Sequence, residues 1–201
     1  MVARIWLVAG VMVTMAGTAA AQSRQTVSLQ ASALVTTING PSFENYGLSA
    51  APGGELQVRV NIQPGDFSLG GGFQFSKHTG TFNATDSKVN LTGFFLEPRY
   101  AIRTTSRTLR PYLAGRIALL KQALSYGTGT GAIDVTANGT AFGGGGGFAV
   151  RLSPNVNFDL GAAFTSANFG EYKDNGTPTG EDAKGGSSYV IKAGVTIGIG
   201  K

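Results

Sequence analysis

The sequence predicts an all-β fold, an eight-stranded antiparallel up-and-down transmembrane β-barrel preceded by a cleavable signal peptide. Three observations carry this: strands with one apolar face, links that alternate long and short, and apolar rows free of charge. Between Glu55 and Phe75 one row reads Leu56, Val58, Val60, Ile62, breaks at Gln63-Pro64-Gly65-Asp66, and resumes with Phe67, Leu69, Gly71, Phe73, Phe75. The opposite row reads Glu55, Gln57, Arg59, Asn61, then Ser68, Gly70, Gly72, Gln74, Ser76. A period of two on both sides of a turn is a hairpin with one apolar wall. Repeated down a chain, it places lipid against one wall and a polar lumen against the other.

Residues 1–21 read as the signal peptide and 22–201 as a single barrel domain. Arg4 precedes an apolar stretch from Ile5 to Met15, too short to span a membrane, and Ala19-Ala20-Ala21 supplies small residues for cleavage. The first strand runs near Thr26 to Thr36, with Val27, Leu29, Ala31, Ala33 and Val35 on its apolar face. The second and third form the hairpin above. In the fourth, about Asn90 to Arg103, Phe94, Leu96, Tyr100 and Ile102 share a face, but Val89 and Leu91 have the wrong parity. A bulge near Gly93 would reconcile them. The fifth, about Leu109 to Gln122, sets Leu113, Gly115, Ile117 and Leu119 against Ala114, Arg116 and Ala118. The sixth, Ala141 to Leu152, carries Phe142, Phe148, Val150 and Leu152. The seventh, Val156 to Thr165, sets Val156, Phe158, Leu160, Ala162 and Phe164 against Asn157, Asp159 and Thr165. The eighth, Ser188 to Gly200, sets Tyr189, Ile191, Ala193, Val195, Ile197 and Ile199 against Ser188, Lys192 and Thr196.

Thr37 to Gly54, Lys77 to Lys88, Ala123 to Thr140 and Asn168 to Ser187 are long links. Gln63 to Asp66, Thr104 to Thr108 and Ser153 to Asn155 are short ones. This rhythm puts long links outside the cell, and tight turns and both termini in the periplasm. The long links are rich in Gly, Asn, Ser, Thr and Pro, so they are expected to be exposed and mobile. Ten residues at about 3.3 Å each, tilted about 45°, cover roughly 23 Å, the height of an outer-membrane apolar band. Tyr46, Tyr100, Tyr112, Tyr126 and Tyr189 fall near strand ends or in links, where an aromatic girdle would sit.

Composition excludes several functions. The chain has no cysteine, hence no disulfide framework, thiolate zinc site or cysteine nucleophile. Without Arg4, 15 basic residues face 11 acidic ones, and this mild excess forms no tract that would hold a nucleic acid. Gly143 to Gly147 and Gly70 to Gly72 lack the Gly-Lys-Ser/Thr of a phosphate loop and read as glycines easing the curvature of a small barrel. Asn83-Ala84-Thr85, Asn90-Leu91-Thr92, Asn138-Gly139-Thr140 and Asn175-Gly176-Thr177 match the glycosylation pattern by chance in an Asn- and Thr-rich chain. His78 is the only histidine. With Ser76 on its face it offers a nucleophile and a base, but no acid is positioned to complete a hydrolase, so it is expected to be a rim residue without chemistry. No cofactor or metal is expected.

The lumen charges are the most structured group. Following the strand directions, Arg59, Glu97, Arg99, Arg116, Arg151 and Asp159 fall in the periplasmic half of a barrel just wide enough for side chains to fill it. Buried charges persist when paired. A structural plug is the expected reading, with a gated ion path as the alternative.

Glu97-Pro98-Arg99-Tyr100, a turn, and Pro111-Tyr112-Leu113, with the signal peptide, the amphipathic strands and the link rhythm, resemble the small outer-membrane β-barrel superfamily of Gram-negative bacteria. That group includes the opacity-type, A-type and X-type outer-membrane proteins. The resemblance implies a non-enzymatic structural or surface-interaction protein for adhesion or envelope integrity, with a narrow solute or ion channel second and a lipid-modifying enzyme third. It implies as partners outer-membrane lipid and lipopolysaccharide, the barrel-insertion machinery, and a surface or host ligand met through the links. Family members usually end on an aromatic residue that the insertion machinery reads, whereas this chain ends Ile197-Gly198-Ile199-Gly200-Lys201.

Overall fold

A computed structural model describes residues 26–199 except 42, 45–46, 63–65, 83–84, 107 and 127–132. The expected signal peptide, the turn residues Gln63 to Gly65, Tyr46, the side chain of Tyr126 and the last two residues lie outside that description.

The strands are β1 (Val27–Asn39), β2 (Ala51–Ile62), β3 (Phe67–Phe82), β4 (Thr85–Ala101), β5 (Leu109–Tyr126), β6 (Ile133–Arg151), β7 (Val156–Phe169), β8 (Glu171–Asp174), β9 (Thr177–Asp182) and β10 (Gly186–Ile199). Consecutive strands from β1 to β7 pair antiparallel, β7 pairs with β10, and β10 with β1, so eight strands close on themselves. Closure leaves no edge, which is what a sheet in lipid requires. The short links and both ends of the described chain lie at one end of the barrel, where Gly198 N donates to Asn155 O and Asn61 N to Thr26 O, each at 2.8 Å.

Leu56, Val58, Phe73, Phe94, Leu96, Leu113, Ile117, Phe142, Leu160 and Ile191 are exposed on the outer wall, a belt of large apolar groups that water would not tolerate in so broad a patch. The belt ends sharply. Two residues beyond Phe75, Phe94 and Leu119 on the same wall stand Lys77, Thr92 and Lys121.

The long links are shorter than their composition suggests, because the strands run on past the belt. β3 and β4 pair from Phe67↔Tyr100 to Phe82↔Thr85, and β5 and β6 out to Tyr126↔Ile133. Outside the membrane both walls of a strand can be polar, so the period-two signal vanishes while the hydrogen-bond ladder continues. The last long link also folds: β8 and β9 form a hairpin turning at Asn175 and Gly176, both with positive φ, and β8 joins β6 at Val135↔Asp174 and Thr136↔Lys173.

No bulge forms near Gly93. The ladder of β4 with β3 is unbroken through it, so Val89, Leu91 and Phe95 face the lumen. There they pack with Phe43, Leu120, Leu124 and Phe169 into an apolar cluster that fills the long-link end of the barrel. Phe43, in the first long link, meets Phe169 edge-on at 6.2 Å between ring centroids and roofs this cluster.

Candidate functional site

The other half of the lumen is charged. Glu97 on β4 is the hub, its side chain 3% exposed. Its Oε1 accepts from Arg59 Nη2 on β2 at 2.6 Å and from Arg99 Nη2 at 3.0 Å. Its Oε2 accepts from Lys192 Nζ on β10 at 3.0 Å and from Arg116 Nη2 on β5. Arg116 also reaches Glu55 Oε2 at 2.8 Å and Gln74 Oε1 at 2.8 Å, and Lys192 reaches Glu55 Oε1 at 3.3 Å. On the far side Asp159 on β7 accepts from Arg99 Nη1 at 2.7 Å and from the Tyr112 hydroxyl at 2.8 Å. Four cations and three carboxylates from five strands thus meet in one buried lattice.

Local sequence makes room for it. All these residues have lumen parity, opposite the apolar row of their own strand. Gly70 stands beside Arg59: a Cβ there would come within 2.9 Å of Arg59 Nη2. Gly147 and Gly161 flank the Tyr112 hydroxyl, which a Cβ at either would approach to 2.6 Å. That space lets Tyr112 lie across the lumen with the Arg99 guanidinium 3.7 Å over its ring, while Arg116 stacks 4.0 Å over Phe95.

Arg59, Glu97, Arg99, Arg116 and Asp159 are brought together, but Arg151 is not. It ends β6 exposed, with Nε donating to Ser153 O of its own turn at 3.4 Å. Parity aimed it inward, but at the last residue of a strand there is no lumen left to enter. Glu55 and Lys192 take its place. Their parity was legible, but their reach along the axis was not, because long side chains of tilted strands meet well away from their own Cα level. Tyr112 belongs to no girdle: it is 3% exposed, whereas Tyr100 and Tyr189 are exposed on the outer wall.

His78 is wholly buried rather than on a rim. Its Nδ1 lies 3.3 Å from Ser49 O, which can only accept, so Nδ1 carries the proton and Nε2 accepts from Ser76 Oγ at 3.1 Å. A carbonyl stands where a hydrolase holds a carboxylate, and it supplies no charge to stabilise an imidazolium. Between the charge lattice and the apolar cluster lies a cavity of about 40 Å³, with Arg116 and Gln74 on its charged side and Ala118, Ala141 and Phe169 among its walls.

A closed eight-stranded barrel with an apolar outer belt and a charged lumen is the geometry of the outer membrane protein beta-barrel domain, whose family model matches residues 7–198. The chain belongs to this family. As a family member it is an outer-membrane protein. Neisserial surface protein A is similar in structure, with a TM-score of 0.55 at 20% identity over 87% of this chain and 97% of that one. So is Ail, the attachment invasion locus protein of Yersinia pestis, with a TM-score of 0.56 at 12% identity over 87% of this chain and 100% of that one. A major outer membrane protein from Thermus thermophilus aligns with a TM-score of 0.52 at 13% identity over 86% of this chain and 99% of that one. At these identities the likeness is one of fold. No curated protein matches the chain in sequence.

Proposed function

We propose that this barrel is a structural and surface-interaction protein of the outer membrane, with short turns and termini in the periplasm and extended strands outside the cell. The observation that carries this reading is the doubly filled lumen: a paired charge lattice occupies one half and an apolar cluster the other. What remains for contact is the outer wall and the strands beyond the belt.

The outer wall suggests the first contact. Lys77, Lys88 and Lys121 project from adjacent strands β3, β4 and β5 just beyond the belt, with Lys77 opposite Asn90, Lys88 opposite Thr79 and Lys121 opposite Thr92. At that depth ammonium groups suit the phosphates of lipopolysaccharide. Adhesion to a surface or host ligand through β8, β9 and the links is the further part of the reading. It draws support from Ail, an attachment invasion locus protein of the same fold.

Lipopolysaccharide with and without its lipid phosphates is the test. The phosphorylated form should raise the heat-transition temperature of the barrel more, and Lys77→Gln with Lys88→Gln and Lys121→Gln should erase the difference. An unchanged difference in that variant would remove the lysines from the reading. A narrow channel is the second reading, favoured by lumen atoms that lack a protein partner: Gln30 Oε1, Gln57 Nε2 and Gln122 Oε1. Steady single-channel conductance of the wild-type barrel in a planar bilayer would establish it over the first.

A further inference from the structure

The short-turn end of the barrel carries three arginines, Arg103 just past the end of β4, Arg110 on β5 and Arg151 at the end of β6. Asp66 accepts from Arg103 Nε and from Arg110 Nη2, each at 2.5 Å. The β4–β5 register, continued two residues past Ala101↔Tyr112, sets Arg103 opposite Arg110. Arg110 pairs with Ala149, two residues from Arg151 on the same wall, and Arg151 N donates to Thr108 O at 2.8 Å. All three side chains are exposed. Like charges set opposite or diagonally across a ladder repel one another. Asp66 is the one carboxylate that stands with them among the described residues, so the group keeps an excess of two positive charges.

Each arginine also neighbours an exposed apolar residue of the belt's lower edge: Ile102 precedes Arg103, Leu109 precedes Arg110, and Leu152 follows Arg151. The apolar neighbour faces lipid from the outer wall, which sets the guanidinium at headgroup depth on the opposite wall, at the mouth of the barrel. Cation type is segregated as well. Among the described residues outside the lumen, this end has only arginine, whereas Lys77, Lys88, Lys121, Lys173 and Lys184 stand at the other. A guanidinium grips two oxygens of a phosphate at once, which an ammonium does not.

The geometry points to a phosphate-binding arc formed by Arg103, Arg110 and Arg151, with Asp66 holding the first two in position. Two sources present that chemistry, the headgroup of a phospholipid in the adjacent leaflet and free phosphate. The arc does not depend on which side of the membrane the turns face, whereas the leaflet involved follows from the orientation proposed above.

The full chain, folded in a maltoside micelle free of phosphate, provides the test. Its heat-transition temperature is followed while phosphatidic acid is doped into the micelle, or while inorganic phosphate is added against chloride at matched ionic strength. A headgroup site gives a saturable rise with the lipid and little with inorganic phosphate; a free-phosphate site gives a saturable rise in both arms. In either case Arg103→Gln with Arg110→Gln and Arg151→Gln should lose the rise. Should that variant not fold, Arg151→Gln alone, which leaves the Asp66 pairs intact, should weaken the apparent affinity. No saturable rise in either arm, or an equal rise in wild type and the Arg151 variant, overturns the arc.

Discussion

At the scale of the residue, Glu97 decides the stability of the lumen. Four cations converge on one carboxylate that is almost wholly buried, and only Glu55 and Asp159 share the load. Replacing a buried pair by apolar groups can be neutral, but removing one partner strands the others, at about 3–5 kcal/mol. Glu97→Gln should therefore lower stability to urea in lipid vesicles by about that amount, against no more than about 0.5 kcal/mol for Arg151→Gln at the exposed end of β6. Equal losses in the two variants would mean that the lattice groups are solvated separately. Asp66 gives a prediction with a pH sign. The hydrogen bond from Arg103, aided by Arg110, holds its carboxyl below the ordinary range. Its stabilising contribution is thus present above the unfolded value of about 3.9 and is lost as the pH falls through the lower folded value. The heat-transition temperatures of wild type and Asp66→Asn should differ at neutral pH and converge in acid, while a difference constant with pH would exclude the carboxylate as its cause. The sequence made the side of the wall legible for Arg59, Glu97, Arg99, Arg116 and Asp159, since parity is a local property. It did not reveal that Glu55 and Lys192 complete the lattice and Arg151 stays out, because height along a tilted barrel depends on the register of strands distant in sequence.

At the scale of the element, β4 shows where a period-two reading misleads. Val89 and Leu91 look out of phase only if every apolar group must face lipid, and a bulge then seems necessary. The strand keeps its phase and changes its surroundings instead: from Val89 to Phe95 its lumen wall meets an apolar cluster, and from Glu97 onward it meets charge. Two tests separate these pictures. Phe94→Cys should be quenched by a lipid-tail probe after fluorophore labelling, and Leu91→Cys should not; quenching at both positions would restore the bulge. Val58→Arg, placed in the outer belt near the midplane, should reduce folding into lipid by about 2–4 kcal/mol, whereas lumen groups of the same strand already include Arg59. The strand extensions of β3 to β6 and the β8–β9 hairpin were illegible for a related reason. Alternation records a difference between two environments, and beyond the belt the two walls no longer differ.

At the scale of the whole molecule, the two fillings of the lumen divide the labour of keeping a narrow barrel closed. The charge lattice is specific and holds five strands in one register, since each carboxylate fits only the guanidinium and ammonium groups aimed at it. The apolar cluster is less directional and accepts Phe43 from a link as its roof. The charged half is therefore the one whose disruption should open a path, because removing Glu97 leaves cations that repel one another and draw in water and anions. The orientation proposed for the barrel can be checked on the same molecule in intact cells. Lys173 and Lys184 lie in or beside the β8–β9 hairpin, which joins the barrel through only two ladder positions, while Arg103 and Arg110 lie at the short-turn end. Few hydrogen bonds to the main sheet mean a low free energy of local opening. Trypsin added outside should therefore cut after Lys173 or Lys184 and spare the turn between β4 and β5, which becomes accessible only after the cells are broken. Cleavage confined to that turn in intact cells would invert the topology. It would place the arginine arc outside and the three belt-edge lysines toward the periplasm, and the lipopolysaccharide reading would fall with the orientation while the paired lumen stayed as it is.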